Sequence, residues 1–173
     1  MLVNPPTPVR ARRAGVAGAL VALAALATLA GCSPADKPVT ALRLVDGRPT
    51  LLIAACDAAE IDSVSVYAAT GGATITAAWR ARDPGSAGPP PAEVTLLEAP
   101  PGWSVSDSSL TAFAPGAAYT TAAYGSPGNA YPIDFTLERL GALGPGEVLA
   151  GEGHDEATAM SEGDFRARAK DSC

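Results

Sequence analysis

The residue best placed for chemistry is Cys32, whose thiol follows a long uncharged stretch. No acidic residue precedes it, and the 18 positions from Ala14 to Gly31 carry no charge. A basic start comes before that stretch, in the form of three arginines: Arg10, Arg12 and Arg13. This pattern is typical of an export signal. The stretch is rich in Ala and Gly and slightly shorter than the roughly 20 residues that cross a bilayer core, so we predict that residues 1–31 are a signal peptide that is removed.

The end of this region, Leu29-Ala30-Gly31-Cys32, resembles the lipobox of bacterial lipoproteins, in which a branched residue and two small residues precede a cysteine. In that family the thiol becomes a diacylglycerol thioether, and a peptidase cuts just before the cysteine. The resemblance covers the first 32 residues and implies a lipid on Cys32 that holds the chain at the extracytoplasmic face of the cell membrane. A secretory leader with an incidental cysteine and an uncleaved anchor are the alternatives. The export route, Sec or twin-arginine, stays open.

Two further cysteines, Cys56 and Cys173, remain once Cys32 is acylated. Large apolar side chains are sparse. An exported domain with few such side chains in its core is usually stabilised by a covalent cross-link, which can form in its oxidising compartment. We therefore predict a disulfide between Cys56 and Cys173. The closed loop from residue 56 to residue 173 spans 118 residues, which corresponds to about 4 to 5 kcal/mol in the chain-entropy model. Two unpaired buried thiols are the alternative.

Other catalytic or metal-binding patterns are missing from the sequence. The chain has one histidine, His154, so it cannot build a multi-imidazole zinc site. Neither a Gly-x-Ser-x-Gly elbow nor a phosphate-binding or dinucleotide-binding glycine pattern occurs. The acidic stretch from Gly151 to Asp164 lacks the spacing of a twelve-residue calcium loop and is interpreted as a solvated loop. We predict no catalytic residue, no metal site and no cofactor.

The predicted organisation is a signal peptide (1–31), a short lipidated tether (32–40) and one domain (41–173). Removing the leader takes away three of the 12 basic residues and none of the 18 acidic ones, which leaves a net charge of −9. That balance argues against a nucleic-acid partner. The Ala-, Gly- and Pro-rich composition and the terminal cysteine are similar to those of small surface lipoproteins of high-GC Gram-positive bacteria, a likeness that implies no particular activity.

Two hairpins are predicted at the start of the domain. In the first, Asp46-Gly47 forms a two-residue turn between Ala41–Val45 and Pro49–Cys56, which pairs Leu42 with Leu51 and Leu44 with Pro49. In the second, Gly71-Gly72 is the turn. Its predicted pairs on the apolar face are Ala68 with Ile75, Val66 with Ala77 and Val64 with Trp79, while Tyr67 with Thr76 and Ser63 with Arg80 share the other face.

Further strand-like runs follow, separated by Pro- and Gly-rich turns: Glu93 to Glu98, Trp103 to Val105, Leu110 to Phe113, Ala118 to Tyr124 and Tyr131 to Leu137. Short strands with turn signals every 10 to 15 residues favour an antiparallel, immunoglobulin-like β-sandwich. Near the C-terminus, Ser161 is a predicted helix cap, and Phe165, Ala169 and Cys173 share one helix face. The predicted fold is thus a mainly β sandwich with a short C-terminal helix.

Two classes of function are compatible with these features. The first is a non-catalytic module that binds a protein or cell-wall partner; an aromatic face of Trp103, Tyr119, Tyr124 and Tyr131 could serve it, although core filling is the preferred role for Trp79 and Trp103. The second is an envelope-directed hydrolase that uses paired carboxylates from among Asp134, Glu138 and Asp155. We favour the binding module.

Overall fold

The computed structural model describes residues 39–54, 60–70, 74–85, 90–126, 128–153 and 157–172. Within these ranges the chain forms ten strands and two helices. The strands are β1 (Val39–Val45), β2 (Arg48–Ala54), β3 (Glu60–Thr70), β4 (Thr74–Arg82), β5 (Glu93–Thr95), β6 (Ser104–Ser108), β7 (Tyr119–Ser126), β8 (Ile133–Phe135), β9 (Glu147–Gly151) and β10 (Ala157–Ser161). The helices are α1 (Leu137–Gly141) and α2 (Glu162–Asp171).

The strands form two five-stranded antiparallel sheets. Sheet A has the order β10-β9-β1-β2-β5, and sheet B has the order β6-β4-β3-β7-β8. The inner faces of both sheets share one apolar core, to which sheet A contributes Leu42 and Leu51, and sheet B contributes Val64, Val66 and Trp79. The predicted antiparallel β-sandwich with a C-terminal helix is therefore confirmed.

The first hairpin has the predicted register, because its turn is specified locally. Leu42 pairs with Leu51 and Leu44 pairs with Pro49. Asp46 and Gly47 have φ values of 51° and 75°, the left-handed conformation that a two-residue turn of this kind requires at both positions.

The second hairpin forms, but its predicted register is wrong by two residues. The observed pairs are Ala68 with Ala77, Val66 with Trp79 and Val64 with Ala81. A register shift follows Ala68, and Thr76 is the extra residue of the bulge on β4. The Thr76 hydroxyl donates to the Ala68 carbonyl at 3.2 Å. Since a shift of two residues preserves which side chains share a face, Val64, Val66 and Trp79 still lie in the core. Ile75, which was predicted on the same face, lies on the turn side of the bulge and is 56% exposed. The predicted turn residues lie outside the described ranges.

Several later strand boundaries also differ from the prediction. The run from Leu110 to Phe113 forms no strand, although Leu110 is buried in the core. The run from Tyr131 to Leu137 forms only the short strand β8, because the Thr136 side chain accepts from Arg139 N and begins α1. The stretch interpreted as an acidic loop contains β10, which pairs with β9.

Helix α2 begins as predicted and packs on the outer face of sheet A. The Ser161 hydroxyl accepts from Asp164 N at 3.0 Å, which satisfies one of the free N–H groups at the helix start. Phe165 is 1% exposed. It packs in a second apolar cluster whose sheet A members are Ala41, Leu52, Val148 and Ala150. No helix in the described part of the chain is long and apolar enough to cross a membrane.

Candidate functional site

The outer faces of the two sheets differ in what covers them. Helix α2 packs on β2, β9 and β10, and α1 packs on β1, so both described helices contact strands of sheet A. The outer face of sheet B carries polar and aromatic side chains of the sheet itself, some half-buried and some buried. Four of them form one hydrogen-bonded group, which we call the tyrosine–arginine cluster: Ser65 and Tyr67 on β3, Arg80 on β4 and Tyr124 on β7.

The register of three strands brings this cluster together. Ser65 lies directly between Arg80 on β4 and Ala122 on β7. Tyr67 and Tyr124 lie on either side of that row, and their hydroxyl oxygens are 3.5 Å apart. The two rings therefore lean toward each other across Ser65 and Ala122, which explains why Ser65 is 0% and Ala122 5% exposed although neither described helix packs on this face.

Arg80 is held in place by its neighbours within the cluster. Its Nε donates to Ser65 Oγ at 2.8 Å, and its Nη2 donates to Tyr67 Oη at 2.5 Å. The guanidinium carbon lies 6.0 Å from the centroid of the Tyr67 ring, within the range of a cation–π interaction. The guanidinium is thus fixed in one orientation before any ligand arrives.

The shared network moves the pKa values of the two tyrosines in opposite directions. Burial acts to raise the pKa of Tyr67, but hydrogen bonds with Ser65, Tyr124 and Arg80 and the charge of Arg80 together lower it below 10.0. Burial, the hydrogen bond with Tyr67 and the charge of Tyr67 raise the pKa of Tyr124 to about 12. The pKa of Arg80 is raised, chiefly by its hydrogen bond to Tyr67, so the guanidinium stays charged.

Two of the three carboxylates considered for catalysis, Asp134 and Glu138, accept hydrogen bonds from separate local donors. Asp134 accepts from the Thr120 hydroxyl at 2.5 Å, and Glu138 accepts from Gly116 N at 2.8 Å. Backbone hydrogen bonds from its own N–H and from Gly116 lower the pKa of Glu138, which makes it a poor general acid. Asp155 lies outside the described residues. Within the described ranges, no hydrogen bond joins Asp134 to Glu138, and no group of three acidic, His or Cys side chains could hold a metal ion.

The aromatic face considered from sequence is not assembled. Tyr119 is buried in the core, in edge contact with Phe113 at a centroid distance of 4.9 Å, and Trp103 packs against the same core. Trp79 is 2% exposed, so core filling is confirmed for it. Only Tyr124 of the proposed set belongs to the cluster. Sequence reasoning placed Tyr67 and Arg80 on the polar face of their hairpin but did not connect them to Tyr124.

The predicted lipidation and disulfide sites, Cys32, Cys56 and Cys173, lie outside the described residues, as does His154. No family model matches the sequence, and no curated protein or solved structure matches it either. The chemistry of the tyrosine–arginine cluster is therefore the basis on which a function can be assigned.

Proposed function

We propose that this protein is a lipid-anchored binding module at the extracytoplasmic face of the cell membrane, with the outer face of sheet B as its ligand-binding surface. The observation that carries the proposal is the contrast between the two outer faces. The face of sheet A is filled by Phe165 of α2, whereas the face of sheet B carries Arg80, Tyr67 and Tyr124.

The residue types of the cluster support binding over a purely structural role. Tyr and Arg are enriched at protein interfaces and dominate their binding energy, because they combine a large rigid contact area with hydrogen-bonding groups. The cluster is rigid before binding, which reduces the entropy lost on association. Tyr67, Arg80 and Tyr124 are half-buried, so they remain accessible to a partner, whereas Ser65 is buried beneath them.

The anchor is proposed from the resemblance of Leu29-Ala30-Gly31-Cys32 to a lipobox. Acyl chains on Cys32 would provide stable membrane attachment, since each buried methylene contributes about 0.8 kcal/mol. Strand β1 begins at Val39, seven residues after Cys32, and a segment of that length reaches at most about 25 Å. The sandwich would therefore stay close to the membrane surface, where envelope partners are within reach.

The anchor is tested by comparing the full-length protein with Cys32→Ala in the native host. The wild type should sediment with membranes and incorporate a clickable fatty acid, whereas Cys32→Ala should lose both properties. Cys56→Ala is the matched control and should retain both. If Cys32→Ala remained in the membrane fraction, or if mass analysis found Cys32 unmodified, the anchor would be wrong.

The binding surface is tested by photo-crosslinking in cells. A photoreactive amino acid replaces Arg82, which is exposed on the outer face of sheet B, or Arg166, which is exposed on α2 above sheet A. We expect a discrete crosslinked product from position 82 and none from position 166. The product should disappear when Arg80→Gln is combined with the probe at position 82. Equal crosslinking from both positions would contradict the assignment of the ligand face.

A further inference from the structure

Arg80 differs in its partners from the arginines that form ion pairs. The ion pairs formed within the described residues use Arg43, Arg48, Arg166 and Arg168, and each of these contacts a glutamate. Arg80 instead donates to two hydroxyl groups, those of Ser65 and Tyr67. Among the described residues nothing accepts a hydrogen bond from its Nη1. A guanidinium held in this way keeps an open donor at Nη1, and the Asp107 carboxylate on the neighbouring strand contributes a favourable charge interaction with it.

The neighbouring phenols complete the donor set. Because Tyr67 Oη accepts from Arg80 Nη2, the hydroxyl proton of Tyr67 remains available to a second acceptor, either Tyr124 or a ligand. The lowered pKa of Tyr67 makes that proton a stronger donor. A carboxylate has two oxygens in one plane and matches the planar array of guanidinium donors. One carboxylate placed beside Arg80 could therefore accept from both Nη1 and a tyrosine hydroxyl.

The surrounding charges restrict the ligand to one anionic group. Asp107 lies opposite Arg80 on β6, and Asp134 lies on β8 at the other side of the same face. The chain as a whole has a net charge of −6. A ligand with repeated negative charges, such as an acidic polysaccharide, would meet these carboxylates. A peptide with one carboxylate and otherwise neutral or cationic groups would avoid this repulsion between like charges.

We propose that the tyrosine–arginine cluster recognises a carboxylate group of a peptide, with Arg80 as the principal contact. This inference rests on the proposed function and names the chemical class of its ligand. Tyr67 and Tyr124 supply hydrogen bonds and ring surface beside the carboxylate, and Ser65 positions Arg80 without touching the ligand.

The test uses the full-length protein purified in detergent and two probes, N-acetyl-alanyl-alanine and its C-terminal amide. Signals of the Arg80 Nε–H and of the Ser65 and Tyr67 amides are followed by NMR as each probe is added to about 50 mM, a concentration at which a fragment-sized ligand should approach saturation. We expect saturable shifts with the acid and affinity about tenfold or more weaker for the amide. Arg80→Gln should abolish the shifts. Arg80→Lys should bind more weakly than the wild type, because it keeps the charge and loses the planar donor array.

Arg166→Gln is the matched control, since it removes an exposed arginine from α2, which lies outside the cluster, and it should bind like the wild type. The inference is overturned by equal shifts with acid and amide, by no shifts with either, or by tighter binding of oligogalacturonate than of the peptide acid. If position 82 crosslinks a partner in cells while the peptide acid causes no larger NMR shifts than its amide, the proposed ligand class is wrong and the proposed binding surface is supported. If the acid binds while crosslinking at position 82 fails, the proposed function is wrong and the cluster remains a carboxylate site.

Discussion

At the residue scale, Tyr67 and Tyr124 provide a direct readout of the cluster. The pKa of Tyr67 is below 10.0, and that of Tyr124 is raised to about 12. In the folded protein we expect one tyrosine to ionise below pH 10 and another only near pH 12, as measured by phenolate ultraviolet absorbance. Tyr67→Phe should remove the early ionisation and also lower the pKa of Tyr124, because Tyr67 contributes to raising it.

The same shifts determine how stability depends on pH. The raised pKa of Tyr124 contributes stability that is fully present below about pH 10, the pKa of a tyrosine in the unfolded chain. This contribution is lost as pH rises toward 12. The lowered pKa of Tyr67 acts in the opposite sense, since its contribution is present above pH 10 and lost as pH falls through the folded pKa. Arg80→Gln should raise the pKa of Tyr67. An unchanged titration curve in that variant would show that the hydrogen bond between Arg80 and Tyr67 does not form in solution.

Two buried threonines form a matched pair for a stability test. The Thr40 hydroxyl is buried and has no hydrogen-bond partner in the described part of the chain, whereas the Thr121 hydroxyl donates to the Ser65 carbonyl at 2.8 Å. Thr40→Val should raise the free energy of unfolding by about 1 kcal/mol, because it removes an unsatisfied polar group of similar shape. Thr121→Val should lower it by about 1 kcal/mol. Urea unfolding measures both changes. A loss of stability in Thr40→Val as well as in Thr121→Val would contradict the gain expected for Thr40→Val.

At the element scale, the sequence predicts what local chemistry determines. The first hairpin has the predicted register because Asp46-Gly47 specifies its turn, and α2 begins at its predicted cap because Ser161 supplies the capping hydroxyl. The second hairpin is displaced by a bulge that no residue pattern signals. The cluster was missed for a related reason: β3 pairs with β7 across a long sequence separation, so alternation within β7 cannot reveal which strand lies beside Tyr124.

Helix α2 is held on sheet A mainly by one side chain. Phe165 is 1% exposed and packs against Ala41, Leu52 and Val148. Phe165→Ala should lower the free energy of unfolding by about 3 to 5 kcal/mol, because it leaves a cavity between α2 and the sheet. Urea unfolding measures the loss. Lys170→Ala on the exposed face of α2 is the control and should change stability by less than about 0.5 kcal/mol; similar small effects of both variants would mean that α2 contributes little to the core.

At the scale of the whole molecule, the C-terminal helix covers the outer face of sheet A, whereas no described helix packs on the outer face of sheet B. The short charged contacts that reinforce this arrangement lie on the sheet A side. Arg43 on β1 pairs with Glu162 of α2 at 2.6 Å and with Glu93 of β5 at 2.7 Å. These pairs are partly exposed and individually contribute little stability, but they join the helix to two strands. Helix α2 thus supports sheet A, and the proposed recognition surface lies on the opposite sheet.

The predicted disulfide between Cys56 and Cys173 would complete that support. Ala54, the last residue of β2, packs against the apolar cluster that contains Phe165, and α2 itself packs on β2. The cap residue Ser172 ends the helix. Ala54, two residues before Cys56, and Ser172, one residue before Cys173, therefore belong to neighbouring elements, as a bond between the two cysteines requires.

We expect mass analysis of the mature protein under non-reducing conditions to find no free thiol at Cys56 or Cys173. Reduction should lower the free energy of unfolding by about 4 kcal/mol, because the bond restricts a long loop in the unfolded chain. Cys56→Ser, Cys173→Ser and the double variant should be destabilised equally, since each removes the same bond and their effects cannot add. Two alkylatable thiols in the native protein, or additive losses in the double variant, would show that the cysteines are not bonded and that α2 is held against sheet A by noncovalent contacts alone.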